Sequence, residues 1–240
     1  MKLLQELDVL QSARVELQRM GKECSSFIQH GAQWYRGVRN PLGIRRVEIR
    51  QDRKPLDSSA IESALFNYLF ERVHGIADIR MKTAFCTSSR TQALSYGQLC
   101  WVFPTNNSVI WANPQIRDSL KIMDKLSEYA RELSVDALDF ISEHNTHSGS
   151  VFTALYNSDI KYIEYVRREI DEIAQQTQAM FTGYKQYSPA DVESIPTNVE
   201  LMLYGAPYYV VPTGWVQDTF NTPNNEDLAF EYVLKQTNPQ

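Results

Sequence analysis

Cysteine is scarce in this chain and odd in number: Cys24, Cys86 and Cys100 stand at spacings that fit neither two metal-binding pairs nor a disulfide framework. A reduced compartment is expected, and no metal site. Long apolar runs are lacking too. The start, Met1-Lys-Leu-Leu-Gln-Glu-Leu, turns polar after two apolar residues and carries no cleavage signature, and no later run would span a bilayer. The expectation is a cytoplasmic protein with no membrane partner. Nor is there an excess of cations: the formal net charge is -5 and the pI near 5.5, so nucleic acid is not an expected partner. Internal repeats and low-complexity tracts are absent as well. What is present is a chain of 240 residues, 43% hydrophobic and 11% aromatic, long enough to bury one large core.

Apolar residues at Leu3, Leu7, Leu10, Val15 and Leu17 predict an amphipathic helix from Leu3 to about Phe27. Trp34 to Val38 reads as a strand, Asn40-Pro-Leu-Gly43 as a loop, and Val47 to Arg50 as a second strand. Ser59 and Glu62 form a capping box before a helix over 60–73, stopped near Gly75. Strands follow at Met81–Cys86, Gln98–Phe103 and Asn107–Trp111. Asn113-Pro114 has the chemistry of a helix start, and a second helix from Ser158 or Asp159 to Phe181 would complete a helical hairpin. Strand character returns at Val199–Tyr204 and Tyr208–Val211. From residue 213 to 240 the composition predicts a polar surface tail. The order gives an α+β fold: a single domain over 1–212, with the hairpin at about 114–185 as an elaboration.

Three separated pieces carry chemistry. Tyr35-Arg36-Gly37 puts a guanidinium on a strand, and its planar fork suits a phosphate. Phe85-Cys86-Thr87-Ser88-Ser89 ends a strand in hydroxyls. Asn198-Val199-Glu200-Leu201 places a carboxylate on a strand that continues through Gly205 to Tyr208-Tyr209-Val210. Each alone is ordinary: a surface arginine, a polar turn, an outward glutamate. Together and in this order they resemble the signature of mono-ADP-ribosyltransferases of the arginine–serine–glutamate toxin type.

The resemblance spans about residues 33–111 and 190–212. It implies a split β-sheet core, here preceded by the N-terminal helix, with NAD as co-substrate; the inserted hairpin departs from the family by lengthening the segment between the second and third pieces. Glu200 is then the catalytic carboxylate, supported by Thr87 and Ser89. Arg36, with Gly37, Ser88 and Tyr96, binds NAD. Asn198 occupies the acceptor-recognition position, where the family carries Glu or Gln; the shorter amide leaves the type of acceptor residue open. The implied partner is an acceptor protein, and a bacterial host is its expected source, because Ile49 to Asp57, Arg80, Phe85, Ala93-x-x-Tyr96-Gly97 and Phe103-Pro104 resemble proteins encoded by tailed bacteriophages.

Two alternatives use the same residues. One is an inactive transferase scaffold serving as a virion or host-interaction protein, with virion components as partners; the other is an enzyme that only hydrolyses NAD. Between Arg36 and Lys54, seven basic residues face Glu48 and Asp52, an excess of about five positive charges that could meet a diphosphate or form a solvated face. Glu143-His-Asn-Thr-His147 lacks the spacing of a metalloprotease site and reads as a polar loop. Cys86 and Cys100 read as buried, inert thiols.

Overall fold

The computed structural model describes residues 2–53, 59–117, 119–133, 135, 138–139, 143, 147–157, 163–222 and 225–237. Lys54 to Ser58, most of the Glu143–His147 motif and the expected helix start at Ser158 or Asp159 lie outside them. Among the described residues no helix is long and apolar enough to cross a membrane. The chain forms two compact units. The first comprises Met1–Ile49, Ala84–Ala112 and Gln186–Gln240, and the second Arg50–Thr83 and Asn113–Lys185.

The first unit opens with α1 (Lys2–Glu23) and the short α2 (Ser25–Ile28). Ala13, Leu17, Met20 and Cys24 are buried at helical spacing, so they form the core stripe, while Val15 is 55% exposed and lies off it. The strands are β1 (Tyr35–Val38), β2 (Arg45–Val47), β3 (Thr83–Thr87), β4 (Gln98–Pro104), β5 (Val109–Ala112), β6 (Lys185–Tyr187), β7 (Glu200–Tyr204) and β8 (Tyr208–Pro212). They form one open antiparallel sheet in the order β2-β8-β4-β1-β3-β7-β5-β6. The strand expected over Val47–Arg50 is displaced to Arg45–Val47, where it pairs with β8.

This order has a geometric consequence. β7 and β8 are joined through Gly205-Ala206-Pro207, yet three strands stand between them in the sheet. Four Cα steps reach at most about 15 Å, whereas four strand spacings in a flat sheet take about 19 Å. The sheet must therefore curl, which brings the start of β8 back toward the middle strands. At that middle, the register pairs β1 with β3 at Tyr35↔Thr87, against four pairs from Tyr35↔Trp101 to Val38↔Gln98 between β1 and β4.

The segment 213–240, expected as a polar tail, is instead largely helical: α8 (Thr213–Phe220) and α9 (Glu226–Thr237). Val216, Ala229, Phe230 and Val233 are buried, and the Phe230 ring lies 5.4 Å from Trp101 and 5.9 Å from Phe103. The Asn, Thr and Pro residues cluster in the connection between these helices, which hides the 229/230/233/237 stripe from a reading of composition.

The second unit is built around the helix α3 (Ala60–His74). Ser59 caps α3 reciprocally with Glu62, and Gly75 closes it in the left-handed region at φ 71°, both as the sequence predicts. Three more helices, α5 (Leu120–Glu132), α6 (Ser150–Asn157) and α7 (Ile163–Thr182), pack on α3, while the short α4 (Arg90–Leu94) belongs to the first unit. Phe66 meets Phe181 at 5.0 Å and Tyr68 meets Phe152 at 5.7 Å. The expected hairpin is thus part of a helical unit that includes α3. Asn113-Pro114 does not start a helix, which begins at Leu120. The Asn113 side-chain Oδ1 accepts the Gln115 N–H at 3.0 Å, closing a turn, and its Nδ2 donates to Met180 O at 2.8 Å.

Candidate functional site

The three signature pieces fall on β1, β3 and β7, which are neighbours in the sheet although about 50 and 110 residues separate them in sequence. Arg36 lies on the central β1. Its Nη1 donates to Phe85 O of β3 at 3.2 Å, and its Cζ stands 5.8 Å from the centroid of the Tyr208 ring on β8. Directly opposite Arg36 on β4 is Cys100, and the alternation of β3 puts Cys86 on the same face.

Cys86 links the two charges. Burial pushes its thiol well above the usual range; the Arg36 guanidinium opposes that shift and the Glu200 carboxylate adds to it. Both groups therefore act on one buried sulfur. Glu200 is half-buried and opens β7, and the approach to it is stapled to β3: Ser88 Oγ accepts the Asn198 N–H at 2.5 Å. Asn198 adopts φ 63°, a left-handed conformation that asparagine tolerates better than most residues. The buried Val199 then fixes the phase of the strand, with Glu200 following it.

The remaining hydroxyls are turned elsewhere. Thr87 pairs with Tyr35, which sets its side chain on the face opposite Arg36. Thr87 Oγ1 donates to Gln92 Oε1 at 2.9 Å and accepts the Ser89 N–H at 3.1 Å. Ser89 caps α4 (Arg90–Leu94), its Oγ accepting the Gln92 N–H. Gly37 serves packing: a Cβ there would stand 2.2 Å from Ala93 O and 2.8 Å from Gly97 N, so the missing side chain lets the end of α4 close on β1. Tyr96, at that same turn, is 42% exposed. The structure thus gathers Arg36, Cys86, Glu200, Ser88 and Asn198, and commits Thr87, Ser89 and Gly37 to the β3–α4 corner.

Tyr208 and Cys86 are the neighbours that sequence reasoning did not assign. Tyr208 belongs to the aromatic strand that follows Glu200, and its role depends on the curl of the sheet, which no local pattern reports.

Two arginines of the basic stretch are held by carboxylates. Arg46 pairs with Glu23 at 2.9 Å and with Glu48, and Arg50 with Asp52 at 3.4 Å. In the helical unit a cleft of about 210 Å³ lies between α5 and α7. There Arg168 sits 5.2 Å over the Tyr165 ring and 3.8 Å from Glu172. The chain matches no family model, no curated protein and no solved structure.

Proposed function

We propose that the protein is an NAD-dependent mono-ADP-ribosyltransferase modifying a macromolecule, with a bacterial host protein as the acceptor. The observation that carries this reading is the adjacency of β1, β3 and β7, which assembles an arginine, a serine-rich corner and a glutamate from three distant parts of the sequence. The curled sheet is compatible with the split core that such a transferase uses.

In this reading Arg36 anchors the NAD diphosphate by charge-assisted hydrogen bonds; its bond to Phe85 O takes one of five N–H donors. Glu200 faces the nicotinamide ribose, where its carboxylate binds a hydroxyl and stabilises the positive charge that grows as the C1′–N bond breaks. The bonding pair leaves with nicotinamide. An acceptor lone pair forms the new bond to C1′, and the acceptor's proton passes to solvent. Ser88 and Asn198 hold the run-in to β7, so they set the height of Glu200.

A second reading is favoured by one observation: the Thr87 and Ser89 hydroxyls, which the resemblance would turn toward the carboxylate, are engaged in the α4 corner. On that reading the scaffold is inactive and serves a virion or host-interaction role. Incubation of wild type and Glu200→Gln with labelled NAD and a bacterial lysate separates the two. Label on protein that vanishes in the variant supports the transferase, and nicotinamide release without transfer supports NAD hydrolysis. Neither signal, with no NAD binding by calorimetry, supports the inactive scaffold.

A further inference from the structure

We propose that Tyr208 is a positioning residue for Arg36, its ring holding the guanidinium in place for an anionic diphosphate. The inference rests on the reading of Arg36 as the diphosphate anchor. Tyr208 is 5% exposed and its ring centroid lies 5.8 Å from Arg36 Cζ, within the range where a ring face attracts a cation, most strongly where water is excluded. From the other side, Phe85 O accepts a hydrogen bond from Nη1 at 3.2 Å. The guanidinium is thus fixed from β3, which pairs with its own strand, and from β8, which does not.

The fold explains how a residue two strands away arrives there. β4 separates β1 from β8, and the residue opposite Arg36 on β4 is Cys100, whose side chain is short. The curl that the three-residue β7–β8 connection imposes then swings the first residue of β8 toward the centre of the sheet. Arginine has many rotamers to lose when it grips an anion, and one that is already fixed loses fewer, which appears as tighter binding. Tyr208 therefore acts through Arg36 and not on NAD itself.

The test replaces Tyr208 with phenylalanine and then with mono-, di- and trifluorinated phenylalanines, which keep the ring's shape while draining the negative charge from its face. Binding of inorganic pyrophosphate and of NAD is read by calorimetry, beside Arg36→Ala. The expected result is near-wild-type affinity for Tyr208→Phe, a stepwise fall with fluorination to about tenfold weaker for the trifluoro ring, and a rise in KM for NAD with kcat nearly unchanged. Equal affinity across the fluorinated series, with Arg36→Ala clearly weakened, overturns the role of Tyr208 and leaves that of Arg36 standing. Wild-type affinity in Arg36→Ala overturns the anchor reading itself, and the proposal with it.

Discussion

Gly37→Ala tests whether the turn after α4 is locked against β1. The added Cβ would stand 2.2 Å from Ala93 O, 2.8 Å from Gly97 N and 2.8 Å from the Tyr96 carbonyl carbon. All three are backbone atoms, so no flexible side chain can move aside, and α4 or β1 must shift as a body. Overpacking of this kind costs about 1–3 kcal/mol, and the backbone character of the clash places it near about 3. For a unit of this size that corresponds to a melting temperature roughly 10 °C lower. All four tryptophans, Trp34, Trp101, Trp111 and Trp215, belong to the first unit, so tryptophan fluorescence follows its unfolding apart from the helical unit. A melting temperature within about 2 °C of wild type would refute the reasoning, since a shift that small corresponds to well under about 1 kcal/mol.

Phe230→Ala should destabilise the first unit by about 3–5 kcal/mol, read by the same fluorescence melt, because the ring is buried against Trp101 and Phe103; a surface tail would give no change. Glu23, hydrogen-bonded to Arg46 and Arg19, is held below the usual carboxylate range. Its contribution is present above the unfolded pKa of about 4.3 and is lost as pH falls through the lower folded value, so Glu23→Gln should flatten the acid limb of the melting-temperature profile, and an unchanged limb would count against that pairing. Cys24, Cys86 and Cys100 are buried free thiols raised by burial, Cys100 to about 12. At pH 8 a thiol reagent should label none of them until denaturant is added, and rapid labelling of the native protein would contradict the burial.

Local chemistry was legible where a few adjacent residues decide the outcome. Ser59 with Glu62 marks the start of α3, Gly75 its end, and the strands at 35–38, 98–104, 200–204 and 208–212 follow their apolar patterns. Asn113-Pro114 misled because the same side chain that caps a helix also closes a turn, and the contact with Met180 that favours the turn is distant in sequence. The C-terminal helices were hidden by the polar residues of their connection. For the site, the sequence marked Arg36 and Glu200, but the face on which a hydroxyl lies depends on register: Tyr35↔Thr87 turns Thr87 away from Arg36 and leaves Cys86 beside it. The approach of Tyr208 depends on strand order, which periodicity along one strand does not encode.

The central claim is that Arg36 and Glu200 work on one NAD molecule, and a crystal structure of the Glu200→Gln protein soaked with NAD tests it most directly. The account predicts the diphosphate against the Arg36 guanidinium, with the nicotinamide ribose at residue 200. Crystals that bind no NAD on the face of β1, β3 and β7, or that bind it elsewhere, would contradict it.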